Sequence, residues 1–169
     1  MSVYERILVT LDGSLLAERA LEPAVLLAQA SGAELILLRV VTPIELWAPF
    51  VEIEPAFEVA QERQIRETSV YLEEVRDRLL EDEEALNVRT IALRGPVAET
   101  ITDYARQNSV DLIVISSHGR SGISRWIYGS VAEKVLRGTR CCSTLIVRDE
   151  EARRERKEET PDAAATKMG

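Results

Sequence analysis

"AELILLRVV" (33–41) is apolar at almost every position, interrupted only by Glu34 and Arg39. A strand with one face in water alternates apolar and polar side chains. A run of this kind fits a strand covered on both faces, the usual condition of a parallel sheet. The flanking chain agrees with that reading. Upstream, "RILVTL" (6–11) is a short β-branched run ending at Asp12-Gly13-Ser14. From Ser14 to Ser31, Ala17, Ala20, Leu21, Ala24, Leu27 and Ala28 recur at helical spacing, and Gly32 closes the pattern. Downstream, a long helical pattern runs from about Ala56 to Leu86, with Ile65, Leu72, Val75 and Leu79 on one stripe and a Glu/Arg-rich face that reads as solvated. "VRTIAL" (88–93), "DLIVIS" (111–116) and "STLIVR" (143–148) supply three more strands, separated by helical stretches that begin after Gly95-Pro96 and near Ser130.

Strands alternating with helices predict an α/β fold: an open five-stranded parallel sheet with helices on both faces. Right-handed crossovers and the order 3-2-1-4-5 would set the ends of strands 1 and 4 side by side, where the winding direction reverses and ligands bind in such sheets. The chain has 169 residues, enough for one domain and its core. Residues 149–169, "DEEARRERKEETPDAAATKMG", hold almost no large apolar side chains and read as a disordered or frayed helical tail. A net charge of −8 argues against a nucleic-acid partner, because phosphate neutralisation needs a basic surface. No apolar stretch approaches the roughly 20 residues of a membrane span, and "MSVYERILVTLDGS" lacks the layout of a signal peptide, so a cytoplasmic location is expected. The two cysteines, Cys141 and Cys142, are adjacent and read as reduced, partly buried thiols.

The junction after strand 4, "SSHGRSGISRWIYGSVAEK" (116–134), combines three glycines, five serines, two arginines and the chain's one histidine. Gly119, Gly122 and Gly129 permit close backbone approach, and successive N–H groups ahead of a helix make an anion site. Arg120 and Arg125 add a local basic spot. A purely structural connection would also use permissive residues, and the glycine content alone leaves both readings open. Ser130 followed by Glu133 matches a capping box, which starts the helix at Ser130. Neither a Walker Gly-Lys-Ser/Thr nor a nucleophile-elbow Gly-x-Ser-x-Gly occurs. His118 reads as a loop imidazole bonding its neighbours, and Trp126 and Tyr128 as loop anchors. Asp12, between a strand and a Ser-led helix, could organise a turn.

"ILVTLDGS", "AELILLRVV", "SSHGRSGISRWIYGSVAEKVLR" and "CSTLIVR" together resemble the universal stress protein family, from about residue 4 to 148. The resemblance implies a Rossmann-like domain over residues 1–148, akin to the adenine-nucleotide alpha hydrolases. Nucleotide-binding members carry a glycine, two residues, a second glycine, nine residues, then Gly-Ser or Gly-Thr. Gly119, the nine residues Arg120 to Tyr128, and Gly129-Ser130 match that pattern, and Ser116 replaces its first glycine. By resemblance, Gly119, Gly129 and Ser130 would contact the phosphates of ATP or AMP, with the Val131 backbone close by. Asp12 would hydrogen-bond the adenine, the Val40 backbone would face the base, Thr10 would line the pocket and Ser116 would lie near the ribose. Mg²⁺ accompanying ATP would be held mainly by phosphate oxygens.

The family commonly dimerises through its edge strand, and pairing Thr144–Val147 with its copy would cover an otherwise exposed apolar edge. No residue stands out as a base or water-positioning group, and no lysine lies near the cradle, so at most slow ATP hydrolysis is expected. The functional expectation is a nucleotide-dependent binding or regulatory protein of the stress response. The alternative is a nucleotide-free dimeric interaction protein of the same fold.

Overall fold

The structure, a computed structural model, describes residues 3–43, 55–82, 85–117 and 129–148. Its elements follow in chain order: β1 (Arg6–Thr10), α1 (Leu15–Glu18), α2 (Leu21–Ser31), β2 (Glu34–Val41), α3 (Pro55–Asp82), β3 (Val88–Arg94), α4 (Val97–Gln107), β4 (Leu112–Ser116), α5 (Ser130–Gly138) and β5 (Ser143–Val147). The five strands form one sheet in the order β3-β2-β1-β4-β5. Every neighbouring pair is parallel, with Val9 opposite Leu37 on one side and Val114 on the other.

The continuous apolar run of β2 has the expected cause. Leu35 and Leu37 join Ile7, Val9 and Val114 in one core layer, closed by α2 and α3 through Ala24, Leu72 and Val75. Ile36 and Leu38 join Leu8 and Ile113 in the opposite layer, closed by α4 and α5 through Ile101, Ala105 and Val135. Successive strand residues thus bury into different layers, and polar alternation has no place.

Three local features differ from the sequence reading. The helix expected over 14–31 is two helices, α1 and α2, with Arg19 and Ala20 between them. A continuous helix would set the Pro23 ring against the carbonyl of residue 19, whereas the break leaves Pro23 in the first turn of α2, where its missing N–H costs nothing. The long helix ends its described course at Asp82, and Leu86 packs into the core beyond it. The capping box expected at Ser130 does not form. Gly129 is the N-cap, in extended backbone, and makes no side-chain capping bond. Ser130 is already helical, so its hydroxyl is not the cap, and the Glu133 carboxylate pairs instead with Arg137 at 2.9 Å.

Candidate functional site

β1 runs into a short turn at the carboxyl edge of the sheet, beside the end of β4. The ladder continues one step past β1, where the Leu11 N–H donates to the Leu38 carbonyl at 2.8 Å. Asp12 then folds the chain back on itself. Its Oδ1 accepts from the Ser14 N–H at 2.9 Å and from the Ser14 hydroxyl at 2.6 Å. That hydroxyl in turn accepts from the Ala17 N–H at 3.1 Å and caps α1. Asp12 therefore does organise a turn, which holds its carboxylate at the rim of the crevice.

Gly13 makes the turn possible. Its φ is +86°, and a Cβ there would stand 2.8 Å from Nη1 of Arg39. The Arg39 guanidinium lies over the Tyr71 ring, 5.1 Å from its centroid. The Tyr71 hydroxyl donates to Glu18 at 2.9 Å, and Arg78 donates to the other Glu18 oxygen at 2.9 Å. Burial, followed by the bond to Glu18, pushes the Tyr71 hydroxyl pKa well above its ordinary value. A packed, charged brace therefore backs the turn on the face opposite Val40.

Across the crevice, β4 ends at Ser116, and the buried Ser117 N–H donates to the Val147 carbonyl at 2.7 Å. The Gly129 N–H donates to the Ser117 carbonyl, which joins the start of α5 directly to the end of β4. The first-turn N–H groups of α5 have no partner within the helix, and Gly129 brings no side chain to cap them. Gly129, Ser130, Val131 and Ala132 border the crevice, so the positive end of the helix dipole lies at its edge.

A cavity of about 280 Å³ lies between these two structures. Thr10, Asp12, Val40, Ser116, Gly129, Ser130 and Val131 all line it. Gly119, the remaining residue singled out by sequence, lies outside the described residues, as do His118, Arg120, Gly122, Arg125, Trp126 and Tyr128. The volume is near the lower end of small-ligand sites, which run from about 300 Å³.

The sequence reading missed the apolar floor of the cavity, formed by Ala17, Leu38, Val97, Ile101, Ile115 and Ala132. One signal was available. Gly95-Pro96 starts α4 at the carboxyl end of β3, which brings Val97 to the same rim. Among the described residues no cluster of three or more His, Cys, Asp or Glu side chains is placed to hold a metal ion. No helix among them is long and apolar enough to cross a membrane.

The structure defines a doubly wound α/β protein with a cavity at the reversal of its winding. The model of the universal stress protein family matches residues 3–148, and the chain belongs to that family. It is 30% identical over 149 residues to universal stress protein MJ0531 of Methanocaldococcus jannaschii, covering 87% of this chain and 84% of that protein. It is 32% identical over 151 residues to universal stress protein YxiE of Bacillus subtilis, covering 86% of this chain and all of that protein. Among solved structures, UspA from Lactobacillus plantarum superposes with a TM-score of 0.70 at 28% identity, over 86% of this chain and 98% of that one. A universal stress protein in complex with cAMP superposes with a TM-score of 0.62 at 26% identity, over 86% of this chain and 97% of that one.

Proposed function

We propose that the chain binds an adenine nucleotide, ATP or AMP, in the cavity between the ends of β1 and β4, and acts in the stress response as a nucleotide-dependent binding or regulatory protein. One observation carries this reading: the Asp12 turn and the uncapped start of α5 converge from opposite sides on a single cavity with an apolar floor. The Asp12 acceptor and the apolar lining match the edge and faces of a base, the Ser116 hydroxyl a sugar, and the backbone donors at the start of α5 a phosphate. The cAMP complex of a relative at 26% identity supports an adenine nucleotide as the class of ligand.

In this reading Gly129 and Ser130 receive the phosphates with the Val131 backbone close by, Ser116 lies near the sugar, Thr10 lines the pocket, and Asp12 and the Val40 backbone meet the base. Mg²⁺ accompanying ATP would take its ligands mainly from phosphate oxygens. Ser116, where the family pattern has glycine, narrows the approach to the backbone and lowers affinity without abolishing it. The nucleotide-binding domain spans residues 1–148, and 149–169 form a charged tail that lies outside the described residues beyond Arg148. The protein works in the cytoplasm as a homodimer paired through Thr144–Val147 of β5, an edge strand whose Leu145 and Ile146 are only partly buried. Equilibrium dialysis of nucleotide-stripped protein against ATP, AMP and cAMP tests the assignment. Saturable retention of at least one supports it, and no retention at millimolar nucleotide leaves the nucleotide-free interaction protein.

A further inference from the structure

Cys141 and Cys142 sit at the opposite end of α5 from the cavity, in the turn between that helix and β5. In an extended strand, adjacent side chains point to opposite faces. Here the chain bends at both residues, and the two sulfurs stand 3.9 Å apart in an S–H···S contact. Cys141 is exposed, and Cys142 is half-buried against the α4/α5 core layer.

The separation suits a shared atom better than a direct bond. Two sulfurs bound to one atom at about 2.3 Å stand roughly 3.5–3.8 Å apart for bond angles from about 100° to tetrahedral. A disulfide needs about 2.05 Å between sulfurs and Cα atoms roughly 4.4–6.8 Å apart. Neighbouring Cα atoms are held at about 3.8 Å by the trans peptide. Closing the disulfide would strain the turn, whereas inserting one atom between the sulfurs barely moves it.

We propose that Cys141 and Cys142 form a dithiol site that captures a thiophilic centre taking both sulfurs on one atom, with a monosubstituted trivalent arsenical as the fitting class. Among the described residues no third side chain is placed to complete a tetrahedral metal site, and such an arsenical brings its own third substituent. Capture by an oxoarsine is balanced without electron transfer. Two S–H bonds break and two As–S bonds form, the oxygen leaves as water with both protons, and arsenic stays trivalent.

The full chain treated with phenylarsine oxide tests the site by mass spectrometry, since these are its two cysteines. The expected product carries one arsenical per chain, with the mass of the oxoarsine less one water, and is reversed by a small dithiol but not by a monothiol. Cys141→Ser and Cys142→Ser should each weaken binding at least about 100-fold, because one-point attachment loses the intramolecular second step. The folded chain should bind about tenfold or more tightly than the urea-unfolded chain, because the bend already holds the two sulfurs side by side. Two arsenicals per chain, retained affinity in either single variant, or equal affinity in urea would each overturn the proposal. So would treatment with a hydroperoxide that removes two hydrogens from the pair more readily than the arsenical is captured.

Discussion

Gly13 and Arg39 are locked together: the Cβ that any other residue would bring to position 13 falls 2.8 Å from the Arg39 guanidinium, which is itself stacked on Tyr71. Gly13→Ala therefore meets two obstacles, a φ of +86° and a neighbour with a packed position to leave. The backbone penalty alone is about 1–2 kcal/mol. Urea unfolding should show a loss of at least that size. Nucleotide affinity should fall as well, because the turn presents Asp12.

Gly129 behaves differently. Its φ of −63° and ψ of 154° are open to any L-residue, so Gly129→Val should keep the fold, at a cost of about 1 kcal/mol for the poorer N-cap. Gly129 lines the cavity at the start of α5, where the proposed reading puts the phosphates, and a valine there adds bulk at that position. Affinity for ATP should drop at least tenfold while the circular dichroism spectrum stays native. Unchanged affinity would show that the phosphates bind elsewhere.

How much of this was legible in the sequence follows from where each signal resides. The apolar continuity of 33–41 reports burial on both faces, which is a local property of the chain, and so the sheet class could be read directly. The glycine-bearing ends of β1 and β4 meet because topology forces them together, and Thr10, Asp12, Val40, Ser116, Gly129, Ser130 and Val131 come to one cavity. The break between α1 and α2 was hidden because apolar spacing continues across Arg19 and Ala20, and only the Pro23 ring forbids a single helix. The Ser130–Glu133 spacing suggested a cap, but which residue leaves helical backbone first depends on how β4 hands over to α5. Of the apolar floor, Gly95-Pro96 signalled Val97, whereas Leu38, Ile101 and Ile115 are indistinguishable in sequence from ordinary core.

Burial, then the contact with Cys141, pushes the Cys142 thiol pKa up to about 12 from an ordinary 9.0. The folded state thus holds its proton where the unfolded chain releases it. Below pH 9 both states are protonated and the favourable packing is fully present. Stability should fall as pH rises from about 9 toward 12, with the half-buried Tyr71 hydroxyl acting in the same direction. Thermal melts across that range check the trend, and Cys142→Ala should flatten it. Iodoacetamide at pH 8 should modify the exposed Cys141 ahead of Cys142.

The Leu72 side chain is fully buried where α3 closes one core layer. Leu72→Ala should cost about 2–5 kcal/mol in urea unfolding. The edge strand makes a separate prediction. Sedimentation equilibrium at micromolar concentration should return a dimer, and a monomer would refute pairing through Thr144–Val147.

The cavity between Asp12 and the start of α5 is proposed to receive an adenine nucleotide. Calorimetric titration of nucleotide-stripped protein with ATP, AMP and cAMP tests it most directly. Saturable heat at one site per chain is expected for at least one of them, lost in Gly129→Val. No heat and no thermal shift at millimolar concentrations of all three would contradict it.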